Sequence, residues 1–404
     1  MIKPFFHQTR RWLARIWLEL NPQLRIVGIT GSFGKTNTSV AIARVLAQKY
    51  PTVKTDLNLD TIYNLPMTIL QVKPWTEALV LEMGVDHQGE MDFHLSLVKP
   101  KIGVLTGITP VHSDEEHLRS IQGIIKEKGK LLACLPKDGL AVLNFDDQEV
   151  RKMARLSRAP VLFYGKDKKN CDLWASNIKV TVQGLTFDLN LKNKDKLKIS
   201  TGLIGSHHVN TCMAAYLVGS YLGVSDGQIQ KALGELKPLL GRLNLEKGPM
   251  GSILINDSRR ANPASTIAGL TTLSDLPGKR KIAVLGEMGE LGSFSKKGHQ
   301  MVGEELAELK IDFLIGVGPL TKNIADAAIR NGFPAVKTFW TSDVCQAAQV
   351  LRKILKKGDM LYLKGSLLRH MERVLLYLEG KKVICKKVSC HCYQLCSNCP
   401  EITK

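Results

Sequence analysis

The sequence predicts an α/β protein built on two successive, mostly parallel sheets. From Leu24 onward, short β-rich runs alternate with helical stretches, which is the pattern of βαβ units. A glycine-rich stretch between the first strand and the first helix of this series has the form of a phosphate-binding loop. Near Lys237-Pro238 the alternation restarts after a helical region, which indicates a second sheet. The predicted fold is therefore a central P-loop ATPase domain followed by a C-terminal Rossmann-like α/β domain.

The chain divides into four predicted segments. Its 404 residues are enough for two or three domains of ordinary size. Within the central domain, residues 172–203 are expected to form an insert of short antiparallel strands. The segments are a basic amphipathic N-terminal helix, a central ATP-binding domain, a C-terminal domain and a cysteine-rich basic tail, at 1–23, 24–238, 239–380 and 381–404.

The N-terminal segment 1–23 is predicted to be an amphipathic helix that ends at Asn21-Pro22. Two interpretations of this helix stay open. Tryptophans and arginines on such a helix suit peripheral contact with an anionic membrane surface. The alternative is a helix that packs on its own domain. The apolar residues that can share one side are Phe5, Phe6, Trp12, Leu13, Ile16, Trp17 and Leu20.

Charge and composition limit the partners of the chain. The net charge of +19 favours polyanionic partners in general. Aromatic residues make up only 6%, and no basic stretch is interleaved with them as single-strand binding requires, so no nucleic-acid partner is predicted. No apolar run reaches the length of a membrane span, and no secretory signal is visible. The expected location is cytoplasmic or peripheral to the inner face of the membrane.

The first candidate site is the stretch 28–38, "GITGSFGKTNT". It departs from the common G-x-x-x-x-G-K-[ST] loop, because Ile29 stands where the first glycine is expected. Its setting still suits phosphate, since the N–H groups and dipole of a helix N-terminus attract anions. Lys35 is expected to neutralise the terminal phosphates, and the Thr36 hydroxyl to ligate Mg²⁺. The candidate ATP-binding residues of the loop are Thr30, Gly31, Ser32, Gly34, Lys35 and Thr36.

Two further candidates follow strands of the same predicted sheet. Glu82 ends a strand, where an open α/β sheet places ligand-binding groups, and a carboxylate there suits Mg²⁺. A solvated acid at a strand end is the alternative. His112 follows the next strand. A lone histidine is more often structural, but this position favours a role in the site.

The motifs of the chain, in order, resemble those of the Mur ligases, the amino-acid-adding enzymes of peptidoglycan synthesis. The shortened T-G-x-x-G-K-T loop of that family is similar to 30–36, and the resemblance runs from about residue 24 to about 378. The other matching stretches are "TDLNLDTIYNLPMTIL" with Asn58 and Pro66, "LEMGVDHQGEMD", "KEKGKLL", "GSHHVNTCMAA", "GRLN", "INDSRRANPAST", "VLGEMGELG" with His299, and "LKGS". The last three resemble the branch that adds D-alanyl-D-alanine to a muramoyl tripeptide.

The resemblance implies an ADP-forming amide ligation through an acyl phosphate, with ATP and two Mg²⁺ ions as cofactors. Lys35 would bind the β- and γ-phosphates, Thr36 and Glu82 one Mg²⁺, and His112 would help hold the second. Lys128 falls on a lysine that many Mur ligases carbamylate, and the carbamate would give the second ion an oxygen ligand. An uncharged amine must exist first, so a lowered pKa of Lys128 is required. The alternative is a surface lysine on a lysine-rich helix.

In the last domain, the resemblance places Arg242 and Asp257 over ATP and Asn262 near the adenine. Arg259 and Arg260 replace a Tyr-Asn pair that is usual in the family. From its type and position, Arg259 is hypothesised to contact phosphate.

The sequence departs from the family pattern where substrate is held. About 24 residues precede the P-loop strand, where these ligases carry an N-terminal domain that grips the UDP-sugar. The substrate would then be held by the central domain, by another protein or, if lipid-linked, at a membrane. His208 and Thr211 stand where asparagine is usual. Segment 364–366 matches substrate-handling residues, but its contact with the incoming dipeptide stays open.

The tail 381–404 lies outside the family pattern. Its C-x-x-C at the C-terminal end is a good half-site for zinc, whereas the C-x-C is cramped for the other half. A tail of reduced, mobile cysteines is the alternative. The candidate zinc ligands are Cys390, Cys392, Cys396 and Cys399, with His391 and Cys385 nearby.

The predicted function is ATP-dependent ligation of D-alanyl-D-alanine, or a similar amine, to a muramoyl peptide. One alternative is another amide ligase of this fold, of poly-γ-glutamate or cyanophycin type, which is expected to lack "VLGEMGELG" and "ANP" in this order. The other is a non-catalytic scaffold of cell-wall assembly. A scaffold has no physical reason to keep the whole catalytic set, which is Lys35, Thr36, Glu82, His112 and Lys128.

Overall fold

The computed structural model shows two compact units. The first unit comprises Met1–Lys179, Thr186–Gly202 and His207–Leu236, and the second comprises Val180–Leu185, Leu203–Ser206 and Lys237–Lys404. The residues that the structure describes are 2–55, 61–110, 113, 117–192, 195–278, 280–385, 387–392 and 395–402, with side chains described from residue 7 except that of Thr61. The four segments predicted from sequence stay a prediction in their exact boundaries.

The larger sheet places the predicted phosphate loop at its centre. Its strands are β1 (Arg25–Thr30), β2 (Thr52–Lys54), β3 (Ala78–Glu82), β4 (Ile102–Leu105), β5 (Leu140–Asn144), β6 (Val161–Gly165), β7 (Leu173–Thr181), β8 (Gly184–Leu191) and β9 (Leu197–Thr201). Over the described residues the order is β2-β3-β1-β4-β5-β6-β7-β8-β9. The pairs from β2 to β7 are parallel, which confirms the predicted mostly parallel sheet.

The helices of the first unit begin where the sequence supplies local caps. Ser120 accepts a hydrogen bond from the Gly123 N–H and Asp147 accepts one from the Glu149 N–H, each at a helix start. The helices are α1 (Ile2–Glu19), α2 (Lys35–Leu46), α3 (Thr61–Ile69), α4 (Glu90–Leu97), α5 (Ile121–Ala133), α6 (Gln148–Met153), α7 (His208–Tyr221) and α8 (Asp226–Gly234).

The second unit has its own sheet, as the restart of the pattern near Lys237 predicts. Its strands are β10 (Asn244–Lys247), β11 (Ile253–Asp257), β12 (Lys281–Gly286), β13 (Phe313–Val317), β14 (Thr338–Thr341) and β15 (Met360–Lys364). Its helices are α9 (Pro263–Asp275), α10 (Ser295–Glu308), α11 (Lys322–Arg330), α12 (Val344–Ile354) and α13 (Arg373–Leu378). The order is β10-β11-β15-β12-β13-β14, and only the described pair β10–β11 is antiparallel.

The register of these sheets fixes where the candidate residues lie. Ile29 of β1 pairs with Glu82 of β3, and Thr30 pairs with Leu105 of β4, so three parallel strands end beside the loop. Ligands of open α/β sheets bind at this carboxyl edge. The sheet topology therefore brings Glu82 next to the helix start that follows β1.

Helix α1 packs on the first unit. Ala14 is fully buried in the cluster that contains Leu65 and Ile69 of α3. The Trp17 indole Nε1 donates to the Val72 carbonyl at 2.9 Å. Arg11 lies over the Phe93 ring, with the guanidinium carbon 3.3 Å from the ring centroid. None of the described helices is both long and apolar enough to cross a membrane.

Candidate active site

Two glycines shape the turn between β1 and α2. Gly31 has a φ of 148°, and a β-carbon there would lie 2.1 Å from the Thr106 Oγ1. Gly34 has a φ of 76° and precedes the first residue of α2, and no side chain caps the helix. Both conformations favour glycine. The first N–H groups of α2 therefore have no side-chain partner from the cap position, as a phosphate site at a helix N-terminus requires.

Hydrogen bonds hold this loop against the segment that follows β4. The Ser32 N–H donates to the Gly107 carbonyl at 2.8 Å, and the Thr109 N–H donates to the Ser32 Oγ at 3.0 Å. The Thr106 hydroxyl donates to the Phe33 carbonyl. Ser32 thus fixes the loop through both its main chain and its side chain.

The loop brings a cation and two oxygen ligands together. The Lys35 Nζ donates to the Gly31 carbonyl at 2.7 Å, which lays the ammonium group along the loop. The Thr36 Oγ1 donates to the Glu82 Oε1 at 3.3 Å across the carboxyl edge of the sheet. The Glu82 N–H in turn donates to the Thr55 Oγ1 at 2.9 Å. A hydroxyl and a carboxylate at this separation suit a hard cation such as Mg²⁺.

Lys128 is a buried lysine with few groups to stabilise its charge. The residue lies in α5 and is 1% exposed, and its Nζ donates to the Val85 carbonyl at 3.3 Å. Burial, and then repulsion from Lys35, lowers the pKa of Lys128 to about 7, although Asp86 and Glu90 act in the opposite direction. The interpretation of Lys128 as a surface lysine is therefore wrong. Burial therefore favours the neutral form of this amine.

Acidic side chains next to Lys128 are held by their own hydrogen bonds. Glu127 is 2% exposed, accepts from the Met91 N–H at 2.8 Å and pairs with Lys130 at 2.6 Å. Glu90 accepts from the Asp86 N–H at 2.6 Å. These carboxylates are therefore engaged by other donors.

Other predicted residues lie outside this group or outside the described residues. His112 and Asn58 fall in parts of the chain that the structure does not describe. His208 and Thr211 are buried in α7, at 3% and 5% exposure. Burial lowers the pKa of His208 well below its usual range, so this histidine is neutral.

The second unit buries an ion pair at the carboxyl edge of its sheet. Lys364, at the end of β15, donates from its Nζ to the Asp257 Oδ2 at 2.5 Å and to the Arg260 carbonyl at 2.9 Å. The Tyr362 hydroxyl donates to the same Asp257 oxygen at 3.0 Å. Burial raises the pKa of the Asp257 carboxyl against the attraction of Lys364. Asp257 is thus held in one orientation by two donors.

The other predicted ATP-contact residues of this unit are Arg242, Arg259 and Asn262. Arg242 is close enough to Asp257 and Lys364 to act on both electrostatically. The Arg259 N–H donates to the Gly241 carbonyl at 3.2 Å. The Asn262 side chain caps α9 and accepts from the Ser265 N–H at 2.9 Å, so its amide already has a structural task.

The contacts that hold the "VLGEMGELG" stretch in place were not predicted from the sequence. The fully buried His299 accepts the Met288 N–H on its Nε2 at 3.1 Å, and the Ser366 Oγ accepts the Gly289 N–H at 2.8 Å. Glu287 pairs with Arg369 at 2.8 Å. These bonds fix the loop after β12, and the signal for them was the histidine that follows the motif.

The predicted four-cysteine zinc site is not supported. Among the described residues, only Cys396 of the four belongs to a group with metal-ligand geometry, and its partners there are His370 and Glu372. The cysteines are all free thiols.

Comparison with known proteins defines the family to which the chain belongs. The chain matches the Mur ligase middle domain over residues 29–219 and the Mur ligase glutamate ligase domain over residues 241–367. The chain belongs to the Mur ligase family, and it is therefore an ATP-dependent, ADP-forming ligase that uses Mg²⁺. This result confirms the family and the fold inferred from the motifs.

Individual relatives and solved structures show which members of the family the chain resembles. UDP-N-acetylmuramoyl-tripeptide–D-alanyl-D-alanine ligase of Escherichia coli K12 is 31% identical over 313 residues, which is 77% of this chain and 68% of the relative. The Bacillus subtilis 168 ligase of the same name is 31% identical over 344 residues, or 85% and 73%. MurF from Acinetobacter baumannii superposes with a TM-score of 0.83 at 28% identity, covering 93% of this chain and 81% of that one. MurF from Thermotoga maritima, in complex with ADP, gives 0.79 at 26%, covering 93% and 84%.

Proposed function

We propose that this ligase joins D-alanyl-D-alanine to a muramoyl peptide in peptidoglycan precursor synthesis. The observation that carries the proposal is the group formed by the loop lysine Lys35, the Thr36–Glu82 contact and the buried Lys128. The curated relatives and solved structures above are named for this activity and support the choice of substrates.

The reaction needs two transfers. A carboxylate oxygen of the peptide attacks the γ-phosphorus of ATP, the bond to the bridging oxygen breaks, and ADP leaves. The amine then attacks the acyl carbon, loses a proton, and the tetrahedral intermediate expels phosphate. Lys35 and the N–H groups of α2 hold the phosphate oxygens in line and balance their charge. Bound Mg²⁺ supplies further neutralisation, and Thr36 and Glu82 are the residues that would hold one ion.

We assign Lys128 a modified state as part of this site. Its neutral amine attacks CO₂, a C–N bond forms and one proton is released, which leaves an anionic carbamate in place of a cation. The pKa of about 7 supplies the neutral amine that this step requires. The carbamate would hold a second Mg²⁺ together with His112. Carbon-13 NMR with labelled bicarbonate should show a carbamate resonance in the wild type but not in Lys128→Met; its absence from the wild type would remove this assignment.

In the second unit, we assign Arg242, Asp257, Arg259 and Asn262 to ATP. The Asp257–Lys364 pair and the N-cap bond of Asn262 support fixed orientations for these side chains. Arg259→Ala should raise the KM for ATP, with Lys126→Met, an exposed lysine of α5, as the control. An unchanged KM would remove the phosphate role of Arg259.

The central experiment measures phosphate release from ATP with a panel of UDP-muramoyl peptides and amines. The expected result is stimulation only when the muramoyl tripeptide and D-alanyl-D-alanine are both present, and its loss in Lys35→Met but not in Lys126→Met. Stimulation by glutamate-type or other non-muramoyl acceptors instead would favour another amide ligase of this fold. Full inactivity with every muramoyl acceptor would refute the proposed substrates.

We also propose that α1 makes peripheral contact with an anionic membrane. Its docked side carries Arg11, Ala14 and Trp17, whereas Trp12 and Leu20 are 63% and 66% exposed. At 3.6 residues per turn, the outward apolar residues cover an arc of about 100°. That arc consists of Trp12, Leu13, Ile16 and Leu20.

The surroundings of this arc suit a lipid surface. Arg10 and Arg15 are exposed on the same helix, and the chain has a net charge of +19. Trp75 is 68% exposed and follows shortly after Val72, which accepts the Trp17 indole N–H. Exposed tryptophans beside arginines are typical of helices that lie in the headgroup region.

Co-sedimentation with vesicles tests this contact. The full chain should bind phosphatidylglycerol vesicles more strongly than phosphatidylcholine vesicles, and Trp12→Glu with Leu20→Glu should weaken binding roughly tenfold or more. Val336→Glu, at an 85% exposed apolar residue of the second unit, is the matched control. Equal binding of the double variant, or none by the wild type, would refute the contact without affecting the ligase proposal.

A further inference from the structure

The C-terminal tail is folded back onto α13. The Ile384 N–H donates to the Ile402 carbonyl at 2.9 Å. Val383, Cys396 and Ile402 pack with Leu376 of the helix in one apolar cluster. Two of the tail cysteines, Cys396 and Cys399, therefore have defined apolar neighbours.

A buried arginine fixes the start of the tail. Arg373 is 1% exposed, and its guanidinium donates to the carbonyls of Cys385 at 3.1 Å and Lys387 at 2.6 Å. The Cys390 N–H donates to the Leu368 carbonyl at 2.9 Å. Main-chain bonds thus hold this cysteine-rich stretch beside the turn that precedes α13.

Three metal-binding side chains converge at this turn. His370, Glu372 and Cys396 each offer one ligand atom, and the three atoms lie within 4.8 Å of one another. His370 is 1% exposed and has a φ of 49°, which is uncommon for a residue other than glycine. The histidine and the cysteine are separated by 26 residues, so the tail must return for the group to form.

The hydrogen bonds of His370 resemble those of a metal-ligating histidine. Its Nε2 lies 3.3 Å from the Cys390 carbonyl, to which it can donate. Its Nδ1 lies 3.0 Å from the Glu372 Oε1, to which it donates when it carries a proton. A metal ion bound by both atoms would take the place of that proton. Metal-ligating histidines commonly donate their other N–H to a carbonyl in this way.

We propose that His370 Nδ1, a Glu372 carboxylate oxygen and the Cys396 thiolate bind one zinc ion. A mixed nitrogen, oxygen and sulfur set suits zinc, which takes four ligands in tetrahedral geometry. These three side chains supply three of the four positions. This set shares only Cys396 with the four cysteines considered from the sequence.

The ion would hold the tail on α13. Zinc binding would release the Cys396 thiol proton and would join the turn at 370–372 to Cys396 of the tail. Its role is structural, since no group of the ligase reaction lies among these residues. The proposal is therefore independent of the substrates of the ligase.

Metal analysis of the purified full chain tests the site. About one equivalent of zinc is expected, and cobalt replacement should give a thiolate-to-cobalt absorption band. His370→Ala and Cys396→Ser should each lower the zinc content roughly tenfold or more, whereas Cys134→Ser, at a cysteine of the first unit, should leave it unchanged.

Other outcomes overturn the proposal. Less than roughly 0.3 equivalents in the wild type would mean that a protonated His370 pairs with Glu372 instead. Full zinc content in both variants would place the metal on other tail cysteines. Because a variant could lose zinc by unfolding, chelation of the wild type provides a second measurement: it should expose the tail to protease while circular dichroism of the two units is retained. Unchanged protection after complete zinc removal would refute the structural role.

Discussion

The buried amine of Lys128 makes folding stability depend on pH in a direction that can be measured. Its pKa falls from 10.5 to about 7 on folding. Each pKa unit corresponds to about 1.4 kcal/mol, so the full difference is on the order of 5 kcal/mol. The substitution Lys128→Met replaces the amine by an apolar side chain. It removes this destabilisation and retains much of the buried volume.

The direction in which stability changes with pH follows from proton binding. Between pH 7 and 10.5 the unfolded chain keeps a proton that the folded chain has lost, so the wild type gains stability as the pH rises. The destabilisation is complete below the folded pKa of about 7 and absent above the unfolded value. Lys128→Met should therefore exceed the wild type most at pH 6, by up to about 5 kcal/mol, and the difference should shrink toward pH 9.5.

Urea unfolding in CO₂-free buffers from pH 6 to 9.5 measures this difference in the free energy of unfolding. Lys126→Met is the matched control, because that lysine is exposed on the same helix and should show no comparable trend. A difference that stays flat with pH would refute the reasoning, since it would show that the folded state does not disfavour the ammonium form. The carbamate assignment would then lose its source of neutral amine.

Two further substitutions test the loop and the buried pair. Gly31→Ala combines a positive φ with a β-carbon 2.1 Å from Thr106 Oγ1, so it should abolish ATP binding and destabilise by more than the ~1–3 kcal/mol of backbone strain alone. Gly89→Ala, at a φ of 90° with no atom within 4 Å of the added carbon, should show the strain alone, and equal effects in both thermal and nucleotide-binding assays would contradict this view. Lys364→Met leaves the Asp257 carboxylate without its cation and should lower the free energy of unfolding by ~3–5 kcal/mol. The loss should be smaller at pH 4 than at pH 8, because protonation of Asp257 removes the buried charge. A loss that does not change with pH in urea unfolding would argue against the ion pair.

The phosphate loop shows what sequence reasoning can supply. A strand, a short glycine-containing turn and a helix predicted both the position of Lys35 and the uncapped start of α2, and the structure confirms that local order. The sequence did not reveal that Ser32 serves the loop through hydrogen bonds to Gly107 and Thr109. Such bonds depend on how closely two loops approach, which residue spacing does not determine.

Helix α1 shows a different limit of prediction from sequence. Periodicity predicted its apolar stripe, and the usual inference is that such a stripe faces the core. The structure instead buries Ala14 and stacks Arg11 on Phe93, which leaves Trp12 and Leu20 outside. A small residue allows close approach, and a guanidinium can pack on a ring. The docked side therefore includes Trp17 and Leu18 but not the whole predicted stripe.

Long-range pairs in this chain were predictable only where sheet topology determines them. Thr36 and Glu82 are far apart in sequence, yet they meet because parallel strands end at one edge, a rule that holds for any such sheet. His370 and Cys396 are closer in sequence, but they meet because Arg373 holds a returning tail through main-chain carbonyls. No periodic pattern encodes that return. For this reason the cysteine spacing alone led to a set of four thiols, whereas the proposed site draws two of its ligands from the turn before α13.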